Sequence, residues 1–86
     1  MKIFFYMGRN SNNLSGVSWK IWKIERKGRI VTVLWGPARL LKRKVLPVGV
    51  LQKKRYPTFD SVPAARDFEE KRIQSKRKKG YQSKPR

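Results

Sequence analysis

The chain of 86 residues carries 23 Lys and Arg against 5 Asp and Glu, which gives a formal net charge of +18, and it contains neither Cys nor His. The length suits one small domain, and the missing residue types exclude disulfides, thiolate nucleophiles, zinc–cysteine sites and histidine general bases. Because so few carboxylates are present, we expect a protein that is not an enzyme and that uses no metal and no cofactor.

The first third of the chain predicts two strands joined by a loop. Residues 2–7 are aromatic and β-branched, which favours a strand, and residues 8–16 are dense in turn formers. Residues 17–27 predict the second strand. Because both of its faces carry apolar side chains, a bulge, a register change and a second covered face all stay open as explanations. Lys27-Gly28 then suits a tight hairpin turn.

The middle of the chain predicts three further strands. Residues 29–35 alternate in the manner of a strand, and Gly36-Pro37 should end it because proline cannot donate into a ladder. Residues 39–46 and 50–56 follow as the arms of a second hairpin, which turns at 47–49.

A helix is predicted over residues 62–79. Ser61 or Asp60 can serve as its N-cap, and Pro63 suits its first turn. Gly80 follows the last helix-compatible residue and provides the stop.

The element order predicts an α+β fold: a twisted antiparallel sheet of four to five strands with one long C-terminal helix packed on it. We expect a single domain over residues 1–81, followed by a basic, flexible tail over residues 82–86. The apolar helix face of Ala65, Phe68 and Ile73 is too thin for strong membrane insertion and is better used against the sheet.

No segment has the pattern of a targeting or membrane-spanning sequence. Residues 3–7 form an apolar run shorter than the ~7–15 residues of a signal-peptide core. No stretch approaches the ~20 apolar residues of a membrane span. We therefore expect an intracellular, cytoplasmic protein, associated with the nucleoid if its source is bacterial.

Four segments occur in the order and context of a known domain family: Trp-Lys-Ile-Trp-Lys-Ile-Glu at 19–25, Val-Thr-Val-Leu-Trp-Gly at 31–36, Phe-Asp-Ser at 59–61 and Lys-Lys-Gly-Tyr at 78–81. Over residues 2–81 the chain resembles the WGR domain, which is found in DNA-dependent poly(ADP-ribose) polymerases and in small bacterial proteins. The resemblance implies a twisted antiparallel sheet with one long helix against it. It also implies contact with the sugar and phosphate of DNA, commonly near a strand break or end.

The triplet after which this family is named is only partly present. Trp35 and Gly36 match its first two residues, and Pro37 stands where the family has arginine. Arg39, two residues on, is the candidate replacement, and the segment 35–59 is longer than in typical members. The polymerase catalytic domain has no counterpart, so the resemblance implies no ADP-ribosylation.

The basic residues concentrate in two segments, 39–55 and 71–86. A charged edge hairpin resists aggregation, and cations complement the dipole at a helix C-terminus, but the density in both segments exceeds these needs. A small folded domain at +18 repels itself unless a polyanion relieves the charge, and the abundant polyanion inside a cell is nucleic acid.

The predicted nucleic-acid-binding residues combine one aromatic side chain, one glycine and the clustered cations. The tryptophan would stack on a sugar or base while the other two tryptophans form core, and the glycine would let the backbone approach a phosphate. The set is Trp35, Gly36, Arg39, Lys42, Arg43, Lys44, Lys53, Lys54, Arg55, Lys76, Arg77, Lys78 and Lys79.

The sequence as a whole predicts a non-enzymatic DNA-binding module that contacts the phosphate backbone with little sequence specificity. The family resemblance adds a preference for ends or nicks. The alternative from another class is a protein-interaction domain that docks on an acidic protein partner, and RNA is the third candidate ligand. The oligomeric state is left open.

Overall fold

The computed structural model describes residues 1–9 and 17–83. Its elements are β1 (Lys2–Arg9), β2 (Val17–Lys27), β3 (Ile30–Leu41), β4 (Lys44–Pro47), β5 (Gln52–Arg55) and α1 (Val62–Lys78). The strands form one antiparallel sheet in the order β1-β2-β3-β4, with β5 also paired to β3. The predicted α+β fold, an antiparallel sheet with one C-terminal helix, is confirmed.

Strand β3 is longer than predicted, because it does not end at Gly36-Pro37 but continues to Leu41. The carbonyl of Pro37 accepts a hydrogen bond of 2.9 Å from the backbone N–H of Val48. In an antiparallel ladder the N–H and C=O of one residue point to the same edge. The missing N–H of Pro37 therefore falls on the side of Val48, and the ladder between β3 and β2 loses nothing.

The predicted hairpin about 47–49 is wrong. The turn that reverses the chain is Lys42-Arg43, between paired residues Leu41 and Lys44, and both turn residues have positive φ values of +49° and +67°. Strand β5 pairs with the first half of β3 and not with β4. Strands β4 and β5 thus lie one after the other along the edge of β3 that faces away from β2.

Each face of the sheet has its own apolar cluster. The face under α1 carries Phe4, Trp22, Ile24, Val31 and Val33, packed with Ala65 and Ile73 of the helix. The opposite face carries a smaller cluster of Ile21, Ala38 and Val45, with Phe5, Trp19 and Leu51 partly buried against it. A second covered face therefore explains why the apolar pattern of β2 appears on both sides.

The sequence predicts two core tryptophans and one, Trp35, that is partly exposed; Trp35 is partly exposed as predicted, but Trp19 is not fully buried either. Only Trp22 is buried, with 3% of its surface exposed. Trp19 and Trp35 are both half-buried, Trp19 on the face away from the helix and Trp35 on the helix face.

Helix α1 begins as predicted. The Ser61 hydroxyl accepts a hydrogen bond of 3.2 Å from the backbone N–H of Ala64, and a proline lies in the first turn. Past Lys79, Gly80 takes a φ of +101°, and the backbone N–H of Tyr81 donates to the Lys76 carbonyl at 3.0 Å. This left-handed residue ends the helix as expected.

The chain after the helix returns to the sheet. Gln82, which the sequence places in a flexible tail, exchanges two backbone hydrogen bonds of 2.7 and 2.8 Å with Phe5 of β1. The ring of Tyr81 stacks on that of Tyr6 at a centroid distance of 5.2 Å. The prediction of a tail is therefore wrong at Gln82, and residues 84–86 lie outside the described part of the chain.

Candidate nucleic-acid interface

A cleft of about 180 Å³ opens between α1 and the strands β3 and β5. Its apolar and aromatic lining comes from the sheet, and its cations come from both β5 and α1. The lining residues are Trp22, Val33, Trp35, Lys54, Tyr56, Arg72 and Lys76. We call this the basic cleft, since among the described residues no acid lines it.

The pleat of β5 decides which of its cations enter the basic cleft. Lys54 pairs with Val33, which belongs to the cluster under the helix, so Lys54 lies on the helix face. Lys53 and Arg55, one residue to either side, lie on the opposite face because side chains alternate along a strand.

Tyr56 contacts two of the cleft cations. The Arg72 guanidinium donates a hydrogen bond of 3.0 Å to the Tyr56 hydroxyl, and its carbon lies 5.7 Å from the ring centroid. The Lys54 ammonium lies 4.8 Å from the same centroid. Because a guanidinium has five N–H donors, Arg72 retains donors for a ligand after it has bonded to Tyr56.

Lys76 is the cation with the most perturbed surroundings. Its ammonium lies 5.6 Å from the Trp22 ring and 5.1 Å from the Tyr81 ring. Burial is the main cause that lowers the pKa of Lys76, and the charges of Lys79, Arg72 and Lys20 lower it further. These three neighbouring charges are all positive, so a bound anion would favour the charged form of Lys76 and offset both causes.

A second, larger cavity of about 430 Å³ adjoins the basic cleft at Trp35. It adds one cation, Lys20 of β2, and the half-buried ring of Tyr81. Burial, and to a smaller extent Tyr6, raises the pKa of Tyr81, so this phenol stays neutral. The remaining lining residues are Ser18, Trp19, Ile21, Gly36, Pro37 and Gln52. Trp35 therefore forms a wall shared by two adjoining cavities.

The structure brings four of the predicted residues to these two cavities. Trp35, Lys54 and Lys76 line the basic cleft, and Gly36 lines the second cavity. A Cβ atom on Gly36 would lie 2.9 Å from a terminal methyl of Leu51, so a larger residue here would displace that side chain. The predicted close approach of this glycine to a phosphate stays a prediction.

The other predicted cations lie elsewhere. Arg77 lies 5.8 Å from the Phe4 ring on the other flank of the helix, and Lys78 and Lys79 are exposed at the helix end. Lys53 and Arg55 lie on the face away from the helix. The remaining four belong to β3, β4 and the turn between them: Arg39, Lys42, Arg43 and Lys44.

Arg39, the candidate replacement for the family's arginine, lies on the same face of β3 as Trp35 and Pro37, because residues two apart share a face. It lies four positions beyond Trp35 along the strand, which is about 13 Å. Arg39 therefore continues the surface of the two cavities but does not line either of them.

Sequence reasoning missed several members of the site: Lys20, Gln52, Tyr56, Arg72 and Tyr81. A signal existed for two of them. Lys20 lies two residues before Trp22 and so shares its face, and Arg72 lies one helical turn before Lys76. For Tyr56 and Tyr81 no local pattern indicates that the chain returns to the helix face.

Comparisons with protein-family models, curated proteins and solved structures gave no match. The resemblance to WGR domains therefore stays a prediction. In the described part of the chain, no helix has both the length and the apolar character needed to cross a membrane. Over residues 1–9 and 17–83, His, Cys, Asp and Glu side chains form no group of three that could hold a metal ion.

Proposed function

We propose that this chain is a non-enzymatic DNA-binding module that contacts the phosphate backbone through the basic cleft. One observation carries the proposal: Lys54, Arg72 and Lys76 converge on a cleft walled by aromatic rings and lined by no acid among the described residues. Phosphates supply the missing negative charge, and rings beside a positive groove suit the stacking of sugars or bases.

The geometry supports binding with little sequence specificity. Arg72 has donors for a phosphate, and Lys76 and Lys54 are point charges that hold a phosphate without reading a base edge. The exposed part of Trp35 offers a flat surface that is tolerant of sequence. Lys20 in the adjoining cavity extends the row of cations past Trp35. The resemblance to WGR domains adds the proposal that ends or nicks are preferred.

The test is a titration with duplex, nicked, single-stranded and RNA oligonucleotides at several salt concentrations. If about 5–8 phosphates are engaged, log K against log salt has a slope near −0.9 per contact, or roughly −4 to −7. A flat salt response, or no binding at ~50 mM salt, would refute the proposal and favour the acidic protein partner.

A further inference from the structure

The turn end of β3 and β4 projects past the ladder that β3 forms with β2. That ladder ends at the pair Trp19 and Ala38, and beyond it β3 pairs with β4 alone in the described structure. Three residue pairs follow before the turn, which is about 10 Å of two-stranded ribbon. We call residues 39–46 the hairpin arm.

The hairpin arm has a surface that its own folding does not need. Only Val45 is buried, where it packs on the Ile21 and Ala38 cluster. Three leucines are more than 40% exposed: Leu40, Leu41 and Leu46. The rest of the arm is four exposed cations and no acid. Exposed leucines and cations thus lie side by side on this ribbon.

The two residues at the tip of the arm, Lys42 and Arg43, are unfavourable in the turn that they form. Lys42 and Arg43 both have positive φ, the conformation of a two-residue hairpin turn that favours Asn-Gly. Side chains with a Cβ adopt this conformation at a cost, and such strain concentrates at functional sites. Two adjacent cations in place of Asn-Gly give up turn stability and put positive charge at the outermost point.

We propose that the hairpin arm enters the major groove of B-form duplex DNA. The inference rests on the proposed function and specifies its ligand. That groove is about 12 Å wide and about 8.5 Å deep and admits a two-stranded ribbon, which matches the reach of about 10 Å. A-form RNA has a deep, narrow major groove that excludes such a ribbon, so the arm selects duplex DNA over duplex RNA.

The position of the arm allows one duplex to contact both the arm and the cavities. Arg39 and Leu41 share a face with Pro37, which lines the second cavity, and Lys44 and Leu46 pair with them across the ribbon. Arg39 and Lys44 then lie near the phosphates at the groove edges. The leucines contact the apolar edges of bases such as the thymine methyl group.

The test replaces the tip with the residues that its backbone favours, in the double variant Lys42→Asn/Arg43→Gly. The melting temperature should stay equal or rise, because Asn-Gly suits this turn. Affinity for duplex DNA should fall by roughly 10- to 60-fold at ~0.1 M salt, and affinity for duplex RNA should change less than about three-fold. Because stability is retained, unfolding would not explain the loss.

Two controls isolate the position of the charges. Lys53→Gln/Arg55→Gln removes the same charge from the far face and should change DNA affinity less than about three-fold. Lys42→Arg/Arg43→Lys keeps the charge and the strained turn and should bind like the unmodified protein. Duplex DNA whose major groove is filled by glucosylated hydroxymethylcytosine should bind more weakly than plain DNA, whereas netropsin in the minor groove should not compete.

Three results would overturn the inference while leaving the proposed function in place. They are unchanged DNA affinity of Lys42→Asn/Arg43→Gly, equal binding of duplex DNA and duplex RNA by the unmodified chain, and equal binding of glucosylated and plain DNA. If the unmodified chain binds no nucleic acid, both fail. If the tip variant loses binding to phosphatidylserine vesicles and keeps its DNA affinity, the arm serves a lipid surface and the inference is wrong.

Discussion

If DNA binds in the basic cleft, its affinity should depend more on where the cations lie than on how many there are. We expect Lys54→Gln/Lys76→Gln to bind DNA much more weakly than the matched variant Lys53→Gln/Arg55→Gln. Both variants lose two positive charges. Lys53 and Arg55 flank Lys54 on the same strand but lie on the opposite face of the sheet, so the comparison separates the cleft from the overall charge.

The size of the effect follows from counterion release. Two lost phosphate contacts make the salt slope shallower by about 1.8, since each contact contributes about 0.9. The counterion term vanishes at 1 M salt, so at ~0.1 M salt a slope change of about 1.8 corresponds to about a 60-fold loss of affinity, or about 2.5 kcal/mol. The control variant should change affinity less than about three-fold, because Lys53 and Arg55 act on the DNA only at long range, where salt screens their charge.

Fluorescence anisotropy with a labelled duplex at several salt concentrations measures both slopes, and thermal unfolding checks that each variant is folded. The Lys76 substitution should not lower the melting temperature, because burial and like charges already disfavour this ammonium. Equal losses in the two variants would mean that DNA senses only the total charge. No loss in either would place the interface away from the cleft.

Two further predictions concern single residues of the basic cleft. Trp35→Ala should weaken DNA binding by ~1–3 kcal/mol. It should destabilise the fold by less than the ~3–5 kcal/mol lost when a fully buried tryptophan is replaced. Trp35→Phe should remove most of the quenching of tryptophan fluorescence by DNA. If Trp35→Ala unfolds the chain and Trp35→Phe leaves the quenching intact, Trp35 is core. The lowered pKa of Lys76 should rise when an anion binds, so binding is coupled to protonation of this ammonium. DNA affinity should therefore fall as the pH rises past the pKa that Lys76 has in the free protein. Lys76→Met should abolish this pH dependence in a titration series, and an unchanged profile would contradict the assignment.

The parts of the fold with strong local signals are predictable from the sequence. The β-branched and aromatic runs of residues 2–7 and 17–27 become β1 and β2, although β1 extends two residues further. The capping hydroxyl of Ser61 and the left-handed Gly80 bound the helix as expected. In each case the residues that form the element also carry its signal.

The errors arise where tertiary pairing overrides local turn chemistry. Pro37 ends a strand only if its nitrogen faces a partner, and here it faces the edge where β5 gives way to β4. The turn at Lys42-Arg43 has no sequence signature, whereas 47–49 contain Pro and Gly and suggest a turn. The register of β5 on β3 places Lys54 on the helix face and its two neighbours on the opposite face, and it therefore could not be predicted.

Three of the five acids lie beside cations outside the basic cleft. Glu25 contacts Lys27 at 3.3 Å and Asp67 contacts Lys71 at 3.1 Å, both outside the cleft. Glu69 is the buried acid of α1, and its carboxylate lies 3.6 Å from the Arg26 side chain.

The contact between Glu69 and Arg26 connects the fold to the site. Glu69 faces the sheet together with Ala65 and Ile73, so this face fixes the rotation of the helix about its axis. Arg72 and Lys76 lie three and seven residues after Glu69, on the flank that faces β3 and β5. Glu69 thus lies beside Arg26 beneath the helix, and among the described residues no acid forms an ion pair with Arg72 or Lys76. The same helix therefore places Glu69 against the sheet, where it stabilises the fold, and places Arg72 and Lys76 at the cleft, where a polyanion can reach them.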